Sequence, residues 1–381
     1  MIEEYDTFHE KIFILRKIVE IRIPKNTYAK LRKRYSKEHI ISFCNNKKVI
    51  NKITGRPLVF ITKEVGIPLL GHSAFGIIDR GTNLLQVRCI TGCNLSCIFC
   101  SVDEGRASRT RKTDFIVDPD YMIENLRKIV KYKGSGIEIH LDAQGEPTLY
   151  PYLERLVEEL RRIKEIKIIS MQTNGTLLDD ERISCLEKYV TRINLSLNTL
   201  DEKLAKRLHG RYSLKSVLDA AEMIANSKMD LLIAPVWLPG YNDKDIPRII
   251  EFALDIGAGK KFPPLGIQKY IRYRFGRKIA KTMSFNEFYS KLSELEKEYG
   301  IKLILNPEDF GMTRRPKLPT PFKVGEILKA KIVADGRMLG EKICVKKDRS
   351  IAVLTNRRIG EFVEFKVVRV KDGIIVAVEK K

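Results

Sequence analysis

Cys93-Asn94-Leu95-Ser96-Cys97-Ile98-Phe99-Cys100 follows closely on an apolar segment, Leu84-Leu85-Gln86-Val87. Three thiols within eight residues, spaced x3 and x2, can be aimed from one short loop at three corners of a cubane [4Fe–4S] cluster. The fourth iron is then left without a protein ligand. An iron with an open position is a reaction site, whereas four thiolates would close the cluster into an electron carrier. Two other readings use the same residues. Zinc sites pair C-x2-C knuckles across a loop, and no second pair exists, because Cys44, Cys185 and Cys344 are scattered singly. A closed four-cysteine cluster would recruit Cys89, four residues upstream, but its place in the apolar strand suits a barrel wall better than a ligand.

The chain of 381 residues is long enough for two or three domains. Its hydrophobic content of 44% and charged content of 31% are those of a soluble globular protein. No apolar run reaches membrane-spanning length, and the start, Met1-Ile2-Glu3-Glu4-Tyr5-Asp6, is acidic where a secretory signal would be basic. A cytoplasmic location, where thiols stay reduced, is expected. The formal net charge is +22, and it is unevenly placed. Residues 1–80 carry 16 basic against 8 acidic side chains, residues 322–381 carry 15 against 8, and the larger middle 39 against 32. Basic ends of this kind attract polyanions, nucleic acid above all.

Residues 1–80 show strand-like runs at Ile12–Leu15 and Ile18–Ile23 and a basic cluster from Lys30 to Lys37, but no motif. From Leu84 onward apolar strand-length runs alternate with helices of 3.6 period, which argues for βα units and a parallel sheet. The runs are 137–141, 166–171, 193–197, 231–236, 265–271 and 301–305. Asp118-Pro119 starts one helix. Ser284 and Glu287 read as the capping box of the last, with Phe285, Phe288, Leu292 and Leu295 as its buried stripe and Gly300 as its stop. Two basic stretches flank the same strand ends. Arg106, Arg109, Arg111 and Lys112 follow the cysteine loop, and Lys269 to Lys278 interleaves cations with Tyr270, Tyr273 and Phe275, a pattern suited equally to phosphate contact with base stacking or to a solvated edge. Residues 313–323 are a proline-rich, stiff linker. Beyond them, five short strands in about 60 residues predict a small closed β-barrel of the OB type.

C-x3-C-x2-C with an aromatic before the last Cys resembles the signature of the radical SAM superfamily. The resemblance implies a partial (β/α)6 barrel of α/β class over residues 81–312, with residues 1–80 as an N-terminal extension. It also implies two cofactors: a [4Fe–4S] cluster on Cys93, Cys97 and Cys100, and S-adenosyl-L-methionine (SAM) chelated by the free iron. One electron then cleaves the sulfonium to a 5′-deoxyadenosyl radical that abstracts a substrate hydrogen. The turn Gln144-Gly145-Glu146-Pro147-Thr148 is close to the family's Gly-Gly-Glu motif, with Gln in first place, and is expected against the SAM ammonium. Gln172-Thr173-Asn174-Gly175-Thr176 resembles a further family turn. Ser196 and Asn198 are expected on the ribose and carboxylate, and Trp237, in Trp237-Leu-Pro-Gly240-Tyr-Asn-Asp243, on the adenine.

Residues 324–381 resemble a TRAM domain, an RNA-binding barrel, through Val324-Gly325-Glu326, Asp335-Gly336-Arg337…Gly340-Glu341 and Gly360-Glu361…Val370. Its expected RNA contacts are Arg337, Lys346, Lys347, Arg349, Arg357 and Arg358, all in or beside turns. The two resemblances together imply a radical SAM enzyme that modifies RNA, a tRNA nucleotide by analogy, served by a low-potential electron donor. RNA methylthiotransferases add an N-terminal module with three more cysteines. Residues 1–80 hold only Cys44, so sulfur insertion is not expected. Two alternatives remain: a radical enzyme for a ribosomal protein or metabolite with the barrel as tether, and a non-catalytic RNA-binding iron–sulfur protein closed through Cys89.

Overall fold

A computed structural model describes residues 2–37, 40–41, 48–279 and 281–380, so Cys44 lies outside the described residues. The β-branched runs near the N-terminus form Glu10–Leu15 (β2) and Val19–Pro24 (β3), the inner strands of an antiparallel sheet edged by Ile2–Asp6 (β1) and Lys48–Asn51 (β4). Their buried side chains, Phe13, Leu15, Val19 and Ile21 among them, belong to the same hydrophobic core as the central domain. Leu58–Ile61 (β5) leaves that sheet and pairs in parallel with Asp114–Val117 (β9), beyond the cysteine loop. Gly76–Asp79 (β6) pairs antiparallel with Leu84–Arg88 (β7). A boundary at residue 80 therefore falls between two hydrogen-bonded strands. The N-terminal region's last strand, β6, is the edge strand of the central sheet, whereas β1–β4 form a sheet of their own.

The central sheet runs β14-β13-β12-β10-β7-β6, with Ile137–Leu141 (β10), Ile166–Thr173 (β12), Arg192–Leu195 (β13) and Asp230–Ile233 (β14). From β7 to β14 every pairing is parallel. Strands buried on both faces need apolar, β-branched sequence, which is what Ile137-Glu-Ile-His-Leu141 and Ile166-Lys-Ile-Ile169 largely supply. Helices return the chain between strands. Pro119–Lys133 starts where the Asp118 carboxylate accepts from Tyr121 N, buries Met122, Leu126 and Val130 without exposure, and ends at Gly134. A fully buried aliphatic side chain contributes about 1.5–3 kcal/mol, so these faces hold the helix to the sheet.

The sequence reading departs from the structure at three places here. The run 265–271 gives only a bridge from Leu265 to Ile233 and the short pair of Val236–Trp237 (β15) with Gln268–Lys269 (β16). The run 301–305 is not a strand, although Leu303 is buried. In Phe285–Tyr299, Ser284 Oγ accepts from Glu287 N as a cap and Gly300 ends the helix at φ 65°, but Phe285 is 55% exposed because it lies in the first turn, beyond the sheet it was expected to cover.

The proline-rich segment is strapped to the barrel edge. Asn83 and Thr313 exchange two hydrogen bonds, Leu318 N donates to Asp79 Oδ2, and the buried Lys133 ammonium bridges Asp79 Oδ1 and the Pro316 carbonyl. Ile327–Asp335 (β17), Glu341–Lys346 (β18), Arg349–Leu354 (β19), Phe362–Lys371 (β20) and Ile374–Glu379 (β21) then close into a barrel of order β17-β18-β19-β21-β20. Only the β19–β21 pairing is parallel within it. This barrel is docked. Ser350 N donates to the Leu70 carbonyl and Ile375 N to that of Gly71. Gly71 has φ 116°, and a Cβ there would lie 2.1 Å from Ser350 O. Among the described residues no helix is long and apolar enough to cross a membrane.

Candidate active site

In a parallel sheet the loops after successive strands emerge at one edge, where ligands gather. Residues 93–100 follow β7, 144–148 follow β10, 174–176 follow β12 and 196–198 follow β13. Two-residue pairing ties the first two together: Thr91–Gly92 (β8) runs parallel to Gln144–Gly145 (β11), and Glu146 N donates to Gly92 O at 2.9 Å. Gly145 is required by this approach. Its φ is 150°, and a Cβ would sit 1.9 Å from Gly92 O, so any side chain would push the two turns apart.

Cys93, Cys97 and Cys100 line one cavity of about 310 Å³, shared with Gly145, Ser196 and Asn198. The loop supplies donors to its own sulfurs, from Leu95 N to Cys93 Sγ at 3.4 Å and from Glu104 N to Cys100 Sγ at 3.3 Å. Asn174 Nδ2 approaches Cys93 Sγ at 3.8 Å, and His209 Nδ1 lies 3.0 Å from Cys97 Sγ. Burial pushes all three thiols up, Cys97 to about 12. Thiolates in such a place need metal charge to stay ionised. Among the described residues no three ligands close to single-ion spacing. Three thiols on one cavity wall, each with a donor in reach, fit the separate corners of a cubane better than a lone zinc. Cys89 faces elsewhere, into an apolar recess with Leu141, Tyr150 and Leu153.

The loop's return is fixed by a residue read from sequence as part of a basic surface. Arg277 donates to Asp103 Oδ1, the Cys97 carbonyl and the Glu104 carbonyl at 2.6–2.8 Å. Asp103 in turn accepts at Oδ2 from Ser108 Oγ, Arg109 N, Thr110 N and Thr110 Oγ1. The stretch 269–278 is thus split: Lys269, Tyr270 and Tyr273 line the cavity, and Arg277 clamps the loop beneath it.

Of three expected site residues, Glu146 lines the cavity and also joins two turns, whereas Trp237 and Arg337 do other work. Glu146 is 2% exposed, and its carboxylate already accepts from Thr148 N, Thr148 Oγ1, Thr173 Oγ1 and Asn174 N. Oε1 takes three of these bonds and Oε2 only that from Asn174 N, so Glu146 knits two turns together while it lines the cavity beside Gly145. Trp237 is not in the cavity. Val236 faces in, and strand alternation sends the indole out, where Nε1 donates to Asp243 Oδ1 at 2.9 Å and the ring meets Phe288 edge-on. Arg337, expected on RNA, is 2% exposed and ion-paired with Glu104 and Asp114 behind the cysteine loop. A turn cation reads as surface from sequence, but here the turn is inserted between barrel and loop.

Ser196 and Asn198 stand as expected on the cavity wall, while Leu195 and Leu197 are fully buried behind them. Of the other barrel cations, Lys347 pairs with Glu326 at 2.6 Å, Arg357 with Glu379 at 2.5 Å, and Arg349 donates to the Pro319 carbonyl. The Lys346 and Arg358 positions are exposed. None of these lines the cavity. His209, Arg56 and Asp114 were not legible. Arg56 reaches Glu104 at 3.1 Å and Asp114 at 3.2 Å across about fifty residues of sequence, and no local pattern announces such a contact.

The sequence model described as "Radical SAM superfamily" matches residues 87–253. An uncharacterized protein of Methanocaldococcus jannaschii is 49% identical over 364 residues, 88% of this chain and 83% of that protein. A probable GTP 3′,8-cyclase of Thermococcus kodakarensis is 26% identical over 252 residues, 65% of this chain and 76% of the relative. Among solved structures, Streptococcus suis SuiB bound to S-adenosylmethionine aligns with a TM-score of 0.46 at 20% identity, over 58% of this chain and less than half, 48%, of SuiB. The superfamily model spans the cysteine loop and the turns after β10, β12 and β13 that line the cavity with it, and this chain belongs to the radical SAM superfamily, enzymes that use a [4Fe–4S] cluster and SAM.

Proposed function

We propose that this enzyme modifies a nucleotide within RNA, a tRNA nucleotide in the first instance, with reducing equivalents from a low-potential electron donor. The observation that carries the reading is the fixed docking of the C-terminal barrel beside the cluster loop. Lys112 N donates to the Arg337 carbonyl, and the Arg337 guanidinium reaches Glu104, four residues past Cys100. The strand order, with its third and fifth strands parallel, supports an OB-like barrel of the TRAM kind, a class that holds oligonucleotides. A strand held on this barrel would have a defined place relative to the cavity. Cavity-lining Lys269 and Tyr273, with the exposed Arg274 nearby, suit a phosphate and a stacked base.

Cys93, Cys97 and Cys100 would hold the cluster, which with SAM supplies one-electron cleavage and hydrogen-atom abstraction when bound. The chain's own part is placement and exclusion of water. The Gly145 turn offers backbone to the methionine end, Ser196 is held by Gln172 Nε2 at 2.8 Å, and Tyr270, 3% exposed, closes the wall. A second reading, a free purine nucleotide as substrate, is favoured by the relatives named GTP 3′,8-cyclase. Nucleoside mass spectrometry of tRNA and rRNA from cells with and without the gene separates the two. A modified nucleoside lost with the gene is expected. RNA unchanged in every nucleoside, with GTP consumed by the reconstituted protein, would overturn the RNA reading.

A further inference from the structure

His209 ends the helix Glu202–His209, whose last carbonyls are taken up by the cysteine loop: Ser96 N donates to His209 O and Ile98 N to Leu208 O. The terminus of a helix leaves carbonyls unpaired, and here the cluster loop satisfies two of them. The imidazole, 3% exposed, is sandwiched by Tyr212, stacked at 4.6 Å, and Phe99, edge-on at 5.5 Å. Its two nitrogens face different partners, and those partners decide which nitrogen carries the proton.

Asn198 supplies the decision. Its Oδ1 accepts from Val236 N at 2.7 Å, which fixes the orientation of the amide, because the reverse orientation would set two donors against each other. Nδ2 is therefore the atom turned to His209 Nε2, at 3.5 Å. A ring nitrogen facing an amide N–H must present its lone pair, so the proton resides on Nδ1. That nitrogen lies 3.0 Å from Cys97 Sγ.

We propose that Val236, Asn198 and His209 form a hydrogen-bond relay whose end, the His209 Nδ1–H, donates to the Cys97 thiolate and raises the potential of the cluster that thiolate holds. Hydrogen bonds to cluster sulfurs stabilise the more negative, reduced state, and partners beyond the ligands tune a metal centre through them. Asn198 then serves from the cavity wall as a positioning residue. The inference rests on the family's cluster and not on the substrate, so it stands or falls apart from the RNA reading.

The test compares anaerobically reconstituted wild type, His209→Phe and His209→Gln at equal iron content, by dye-mediated redox titration of the cluster's electron paramagnetic resonance signal. The phenylalanine keeps the ring packing and removes the donor, so its potential should fall below wild type. The glutamine keeps an N–H and should lie between the two. A potential unchanged in His209→Phe would overturn the proposal. Should that variant fail to hold a cluster, the wild type labelled with 15N-histidine decides. A 15N hyperfine coupling on the reduced cluster supports the hydrogen bond, and its absence overturns it.

Discussion

Replacing Arg337 by Met removes one guanidinium from a buried cluster of charges and leaves its methylene volume roughly filled. Arg337, Glu104 and Asp114 have side-chain exposures of 2%, 2% and 0%. Breaking a buried ion pair by removing one partner costs about 3–5 kcal/mol, because the remaining charge is left without compensation. Two features place this case at the lower end. Arg56 stays within 3.1–3.2 Å of both carboxylates, and Arg111 lies 3.8 Å from Glu104, so two cations still face two anions. Arg337 also buries an Nε with no partner, whose loss costs nothing. A loss of about 3 kcal/mol is expected, equivalent to a drop of about 4 °C in melting temperature for a chain of this size, whose unfolding entropy is about 0.8 kcal/mol/K. Differential scanning calorimetry measures it against Lys215→Ala, which breaks an exposed pair on a helix (84% and 51% side-chain exposure) and should change nothing measurable. Because the same guanidinium pins the barrel to the loop, Arg337→Met should also open residues 104–113 to limited proteolysis. An Arg337→Met protein that melts with the Lys215→Ala control and resists cleavage there would refute the docking argument.

Further outcomes follow from the same geometry. Asp103→Ala removes an acceptor used by five donors, and the reconstituted protein should lose most of its iron, read by colorimetric assay. Burial pushes Asp103 up, but hydrogen bonds from Thr110 and Arg109 and the charge of Arg277 outweigh it and hold the carboxyl below the usual aspartate range. Its contribution is therefore present above the ordinary aspartate value and is lost as pH falls through the lower folded one, so loop protection in hydrogen exchange should decline below about pH 4. Trp237→Phe should leave SAM affinity, measured by equilibrium dialysis, unchanged while lowering the melting temperature, because the indole packs on Phe288 outside the cavity. Cys89→Ala should keep about four irons per protein, the cubane count, since its thiol faces an apolar recess.

What could be read from the sequence was local. Three thiols within eight residues carry their geometry in their spacing, and the βα alternation from Leu84 to Ile233 follows from apolar runs that became buried strands, whereas the equally apolar run 301–305 did not. Phase along a short strand was less secure. Trp237 was placed in the site because the segment was right, yet Val236 and not its neighbour faces the cavity. Contacts between distant segments left no trace. Arg337 finds its carboxylates more than 220 residues away, and nothing in an Asp-Gly-Arg turn distinguishes a buried guanidinium from a solvated one. The proline-rich stretch has the composition of a spacer, but Asp79, Asn83 and Lys133 hold it down through side chains that only the folded sheet brings within reach. Glu146 shows the same limit on a smaller scale: its turn was legible, whereas its four donors come partly from a strand met later in the chain.

The central claim is that Cys93, Cys97 and Cys100 hold a cluster open to SAM. Its most direct measurement is 5′-deoxyadenosine formed from SAM by the anaerobically reconstituted protein with dithionite, quantified by chromatography beside Cys97→Ala. The account predicts turnover in the wild type, with or without added tRNA, and none in the variant. A wild-type protein that carries four irons yet releases no 5′-deoxyadenosine under either condition would contradict it.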